Sequence, residues 1–305
     1  MSSRSGGIVI KTLSITVMIW VISAVYSYRV AEEKTPSHGH GITDSREAGV
    51  FSLIWDNFAP TKLNISARAA IVVDALTGEV IFAKNEDSRL PIASLTKLAT
   101  ALAFLETGPN LNDVITITAE DKAGAGRSRL YVGERITLYD CLHMCLMRSD
   151  NAAARALARA TGYSMEKFVF LMNNLAFRMG LTSTTFVDPT GLYSGNVSSA
   201  EDYVKLARLA FENSIISEIT SKKSYQFRAL NKNVIHSVYN TNRLVYGDYK
   251  VKGGKTGYIS QSGYCLALNV VDDNGHPITA VLLGSSSNGY RYKDAKKLLT
   301  LALNN

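Results

Sequence analysis

The order of elements along this chain predicts an α+β fold, α/β in the broad sense: an antiparallel sheet flanked by helices, with a helical subdomain beside it. Three observations carry that expectation. Strand-like stretches gather near both ends, Ala- and Leu-rich helical stretches fill the middle, and no internal repeat points to a solenoid or propeller. The 305 residues allow one or two domains, and the part beyond residue 62 is long enough to bury a substantial single core.

In chain order, residues 69–74 and 79–83 flank a Thr77-Gly78 turn and read as a hairpin. Residues 94–105 read as a buried helix closed by Gly108-Pro109. Two helical stretches follow at 138–147 and 152–160, and a third begins at the cap Ser164 and stops at Gly180. A glycine-rich loop at 191–199 leads into a helix over 200–213. Strands are predicted at 224–230 with 234–238, then at 264–271 with 278–284 around an Asp-Asp-Asn-Gly turn, and a helix over 290–303 ends the chain. Strands at both ends with helices between them place a cleft where the sheet meets the helical part.

Three short strings stand against this framework: Ser94-Leu-Thr-Lys97, Ser149-Asp-Asn151 and Lys255-Thr-Gly257. Residues three apart on a helix share a face, so the Lys97 amine reaches the Ser94 hydroxyl. Near a helix start, Ser94 has unpaired backbone N–H groups around it, suited to an oxyanion. A buried lysine can shed its proton and serve as a base. Ser149-Asp-Asn151 forms a tight junction between two helices, and Lys255-Thr-Gly257 enters a strand behind Gly253-Gly254. There, Lys255 and Thr256 are expected to face a carboxylate, and Gly257 to let a substrate backbone lie along the strand edge. Each string alone also has a bland explanation, as a helix cap or a strand entry. Their conjunction supplies every group a serine acyl-transferase needs without a histidine. A second Ser-x-x-Lys, Ser164-Met-Glu-Lys167, is read as an N-cap with a surface lysine, and Ser194-Gly-Asn196 as part of a loop.

Through these strings, residues 64–303 resemble the penicillin-binding proteins and the serine β-lactamases. The chain looks closest to the short D-alanyl-D-alanine endopeptidases of the low-molecular-weight group. Leu90-Pro-Ile-Ala-Ser-Leu-Thr-Lys97, Ser128-Arg-Leu-Tyr-Val-Gly133, Leu146-Met-Arg-Ser-Asp-Asn-Ala-Ala153, Asp188-Pro-Thr-Gly-Leu192 and Asn240-Thr-Asn-Arg-Leu244 carry that likeness. The resemblance implies a penicillin-binding-protein or serine β-lactamase-like fold and a mechanism. Ser94 would attack a D-Ala carbonyl with Lys97 as base, forming an acyl-enzyme that water resolves. It further implies that Ser149 relays a proton to the leaving amine and that Asn151 orients Lys97 and the substrate amide. Lys255 and Thr256 would bind a substrate carboxylate, and the backbone N–H groups of Ser94 and Tyr258 would form the oxyanion hole. Its partners would be peptidoglycan peptide stems, with β-lactam antibiotics as covalent inhibitors.

No cofactor or metal is expected. His38, His40, His143, His236 and His276 lack zinc-protease spacing; His143, within Cys141-Leu-His-Met-Cys145, reads as a packing position. Cys141, Cys145 and Cys265 read as buried, unpaired thiols. Nucleic-acid binding has no motif behind it; the net charge of +7, part of it from Arg4, Lys11 and Arg29, suits work near anionic lipid or cell wall.

Residues 12–28 are uncharged and mostly apolar, so residues 1–30 read as either a signal peptide or a membrane anchor. Both export the rest to the periplasmic or cell-wall side. Residues 31–62 read as a linker and 63–305 as the catalytic domain.

The end of the chain soon after the last helix favours an endopeptidase over the larger D-Ala-D-Ala carboxypeptidases, which carry a further domain. A carboxypeptidase trimming pentapeptides is the alternative. A β-lactamase is a weaker rival, since residues 181–199 lack a Glu-x-x-Leu-Asn string for a deacylating water. A non-catalytic wall-binding or β-lactam-sensing module would keep the fold without turnover.

Overall fold

A computed structural model describes residues 63–126 and 128–303, the bulk of a compact unit from Thr61 to Asn305. The expected leader or anchor, the linker, and His38 and His40 lie outside the described residues. No helix among the described residues is long and apolar enough to cross a membrane.

The chain starts with the hairpin β1 (Ala69–Asp74) and β2 (Val80–Lys84), then a short β3 (Leu90–Pro91). A 3₁₀ turn, Ala93–Leu95, opens directly into α1 (Thr96–Glu106). Next come β4 (Val114–Thr116), the single-turn α2 (Ala119–Lys122), β5 (Arg135–Thr137), α3 (Leu138–Leu146), α4 (Asn151–Ala160) and α5 (Met165–Arg178). After β6 (Val197–Ser198) follow α6 (Ala200–Glu212), α7 (Ser214–Ser221) and the hairpin β7 (Ser224–Arg228) and β8 (Ile235–Tyr239). Three long strands, β9 (Lys250–Ile259), β10 (Gly263–Val271) and β11 (Pro277–Ser285), precede the final α8 (Asn288–Leu303).

Five strands form one antiparallel sheet in the order β2-β1-β11-β10-β9. Alternate residues of its inner strands enter two separate cores. Ile71, Val73, Cys265, Ala267, Val281 and Leu283 join the cluster of α1 and α3 to α6. Ala70, Val72, Leu266, Leu268, Ala280 and Leu282 pack against α8 through Ala295, Leu298 and Leu299. With both faces covered, the strands read as nearly unbroken apolar runs, so the period of two decides which core each side chain enters.

Three features differ from the sequence expectation. The β7–β8 pair forms its own two-stranded sheet. The helix predicted to end at 213 is followed at once by a further helix, α7, because Asn213 closes α6 and caps the next by accepting from Ile215 and Ile216. Ser94 precedes α1, inside the 3₁₀ turn. The hairpin at β1–β2, the Ser164 cap and the turn between β10 and β11 lie where the sequence puts them.

Candidate active site

Ser94 sits on a bend that the chain holds open deliberately. Ala93 adopts φ 49°, a left-handed conformation rare outside glycine. The turn is fastened by Thr96 Oγ1, which donates to Ala93 O (2.8 Å), and by Tyr203 OH, which donates to Leu95 O (2.5 Å). Ser94 stays half-buried, at the wall of a cleft of about 480 Å³ shared with Ser149, Thr241, Arg243, Thr256 and Tyr258.

One residue into α1, Lys97 is fully buried. Its Nζ lies 2.9 Å from Ser94 Oγ and 2.6 Å from Asn151 Oδ1, and it also meets the Thr190 carbonyl. The Asn151 carboxamide is oriented from behind, since its Nδ2 donates to Ala125 O (2.8 Å), leaving Oδ1 for the lysine. Burial brings the Lys97 amine down from 10.5 to about 8, and the neighbouring Cys145 thiol, pushed up to about 11 by its own burial, brings no charge to offset this. A neutral amine has two N–H bonds and one lone pair. Two of its three partners, a carboxamide oxygen and a carbonyl, can only accept, so the lone pair falls to the one that can donate, the Ser94 hydroxyl. Such an arrangement can take a proton from that hydroxyl.

The Thr190 carbonyl comes from the loop between α5 and α6, which Asp188 shapes. Asp188 Oδ1 accepts from Thr190 N (2.5 Å), Thr190 Oγ1 and Gly191 N (2.9 Å), while Oδ2 accepts from Tyr193 N (3.2 Å) and Asn196 Nδ2 (2.6 Å). Asn196, from the Ser-x-Asn read as a loop, is thus a buried brace of this segment. Gly191, at φ 78°, runs so close to the turn that carries Ser94 that a Cβ there would stand 2.0 Å from Ala93 O.

Across the cleft, Ser149 occupies φ 64° between α3 and α4. Lys255, on the edge strand β9, donates to Ser149 Oγ (2.8 Å) and to Thr256 O (2.8 Å). It is buried at 1% exposure, and burial first, then the Lys97 charge, holds its amine well below the ordinary 10.5. Lys255 therefore addresses Ser149 directly. Thr256 Oγ1 donates to Thr241 Oγ1 (2.8 Å). A Cβ on Gly257 would meet Ile92 O at 2.9 Å and Ser94 N at 3.1 Å, so its bareness admits the turn that carries Ser94. Tyr258 stacks on Tyr264 at 4.3 Å, half exposed at the cleft rim.

A sequence profile of the D-alanyl-D-alanine carboxypeptidase family matches residues 56–287. This chain belongs to that family. The chain is 37% identical to a D-alanyl-D-alanine endopeptidase of Haemophilus influenzae over 242 residues, 76% of this chain and 80% of that one. Against a D-alanyl-D-alanine endopeptidase of Pseudomonas aeruginosa the identity is 32% over 244 residues, 78% of each. The solved Streptomyces K15 DD-transpeptidase superposes with a TM-score of 0.76 at 27% identity, over 80% of this chain and all of that one. Such likeness makes this member of the D-alanyl-D-alanine carboxypeptidase family a low-molecular-weight penicillin-binding protein, with their α+β fold.

The three strings of this family member converge as the sequence order suggests, while Ser164 accepts from Lys167 N (3.2 Å) as an exposed cap far from any such contact. Four contributors escaped the sequence reading of roles. Thr190 and Thr241 lie inside strings that carry the family likeness, a signal that marked the segments without assigning the residues. Arg243 projects into the cleft from the turn after β8. Arg291, buried on α8, lines the same cleft and donates to Gly257 O (3.1 Å) and Cys265 O (3.2 Å), tying β9 to β10; nothing in its local sequence distinguishes it from a surface arginine.

Proposed function

We propose that this chain is a serine DD-peptidase that hydrolyses D-Ala-containing peptide cross-links of peptidoglycan through an acyl-enzyme on Ser94. The observation that carries the chemistry is the Lys97 amine, seated between two obligate acceptors and the Ser94 hydroxyl. In this reading neutral Lys97 takes the Ser94 proton as Oγ bonds to the carbonyl carbon. The developing oxyanion is met by the N–H groups of Ser94 and Tyr258. Ser149, held by Lys255, gives its hydroxyl proton to the leaving amine as the C–N bond breaks and takes in its place the proton that Lys97 removed from Ser94; water then attacks the ester, its oxygen ending in the product carboxyl group and its proton returning to Ser94 Oγ. Thr256, Arg243 and the Lys255 amine supply donors for a carboxylate next to the leaving amine.

Likeness to proteins named endopeptidases favours the cross-link as substrate. The family's own description keeps terminal D-Ala removal as a second reading. Both place the work outside the cytoplasm, on the cell wall. Penicillin would acylate the same serine. The acyl-enzyme should last, because both oxygens of Asp188, the acid in the loop behind the site, are occupied by five donors and cannot activate a deacylating water.

The test is to incubate the full chain and its Ser94→Ala variant with a cross-linked muropeptide dimer and a pentapeptide monomer, and to resolve the products by mass. Dimer converted to monomers by the wild type alone supports the endopeptidase. Loss of terminal D-Ala alone makes it a carboxypeptidase, and absence of either reaction moves the chain to a binding or sensing role.

A further inference from the structure

Beside the catalytic cleft lies a separate cavity of about 340 Å³, between residues 128–131 on one side and β8 on the other. Arg129 and Arg148 both line it. Among the described residues neither guanidinium makes an ion pair or a side-chain hydrogen bond; only the Arg129 main chain is engaged, donating to Asp150 Oδ2 (3.1 Å). The acids nearby in the chain are already spent. Glu134 is fully buried, paired with His236 Nε2 at 2.6 Å and accepting from Tyr131 N (2.9 Å). Asp150 caps α4 through Ala153 N. Two arginines lining one cavity, neither paired with a carboxylate among the described residues, suit an anion.

The second wall indicates what carries that anion. Five consecutive residues, 234–238, line the cavity. Side chains of a strand alternate, so an unbroken run presents an edge rather than a face. Among the described residues β8 pairs only with β7, which leaves its other edge open to main-chain pairing with an extended peptide. Both walls also run straight into the catalytic cleft. Arg148 precedes Ser149, and β8 continues into Asn240 and Thr241, which line the cleft with Ser94. A peptide seated at Ser94 and continuing along β8 reaches the two arginines without leaving the surface.

We propose that this cavity is a second binding site, in which Arg129 and Arg148 hold a side carboxylate of an extended peptide substrate, away from the bond being cleaved. The proposal rests on the reading of the chain as a peptidase of peptidoglycan stems, and it can be tested apart from it. The probes are a cross-linked stem-peptide dimer with free side carboxylates and the same dimer with those carboxylates that do not flank the scissile bond converted to primary amides. Affinities are measured by calorimetry on the Ser94→Ala protein and on that protein carrying Arg129→Gln, Arg148→Gln or both. The acid dimer should bind about tenfold more tightly than the amide, and the double substitution should erase that preference by weakening the acid form alone. The same arginine substitutions in the Ser94 protein should leave the rate of acylation by benzylpenicillin unchanged, which shows that the fold and cleft survive. Equal binding of the two dimers, or a preference that persists in the double variant, overturns the site. Failure of the wild type to cleave either dimer, with the arginine-dependent preference intact, would sink the peptidase reading and leave the site standing.

Discussion

At Lys97 the decisive quantity is the count of hydrogen-bonding partners. An ammonium could also satisfy three acceptors, but at full burial its charge has no carboxylate in direct contact, and burial lowers the amine to about 8. The sign for catalysis follows. In the proposed base role the reactive form is the deprotonated amine, so acylation by benzylpenicillin should rise about tenfold per pH unit below pH 8 and level off above it, measured by stopped flow. Lys97→Arg keeps length and charge but cannot deprotonate, and should slow acylation by about 10³-fold while leaving the protein folded. A flat pH profile between 6 and 9 would remove Lys97 from the base role. His143 shows the opposite use of a buried titratable group. Stacked on Tyr225 at 3.6 Å, with its titration lowered by burial to about 4, it packs neutral and belongs to no metal site among the described residues. Between pH 6.5 and about 4 the unfolded chain binds a proton that the folded chain refuses. Stability is therefore present above that window and is lost as pH falls through it, and the thermal midpoint at pH 5 should lie below that at pH 7.

At the level of elements, the site is a junction of pieces each too weak to stand alone. The 3₁₀ turn carrying Ser94 is pressed between the bare Gly257 of β9 and the Gly191 loop that Asp188 braces. Gly191→Ala adds a methyl where none fits, at a backbone angle alanine resists, and should cost about 2 kcal/mol or more in chemical denaturation. It should also slow acylation, because the Thr190 carbonyl is displaced from Lys97. Full activity in that variant would show that the loop is not a positioning element. Local chemistry made much of this scale legible: the Thr77-Gly78 hairpin, the Ser164 cap and the Gly180 stop are turn and cap signals that act within a few residues. What stayed hidden was α7, whose start shares its cap with the end of α6, and the separation of β7–β8 from the main sheet, which is a matter of partners and not of strand propensity.

On the scale of the whole molecule, the two ends of the described chain are tied together. Buried Asp294 of α8 accepts from Ser66 N (3.0 Å), Ser66 Oγ (2.6 Å) and Ala67 N (3.1 Å), joining the entry of β1 to the closing helix. Asp294→Ala leaves those donors without a partner and should lower stability by about 3 kcal/mol, a drop in Tm of roughly 6–12 °C by calorimetry. A change within 1 °C would show that the clasp contributes nothing net. The three thiols, Cys141, Cys145 and Cys265, are all buried and unpaired, with burial raising each thiol above its ordinary range. A thiol reagent should therefore modify none of them in the native protein and all three after unfolding, and reductant should leave Tm unchanged. The sequence by itself determined the types of most elements, the order of the three strings and the meeting of Ser94 with Lys97, since hairpin turns, caps and the three-residue spacing of that pair are local properties of the backbone. Only the tertiary structure decided that Lys97 has two obligate acceptors, that Lys255 is turned to Ser149, and that Gly257 yields to the turn that carries Ser94. Those depend on contacts between residues far apart in the chain, such as Lys97 with Asn151 and Thr190, which arise only when both cores close on the sheet.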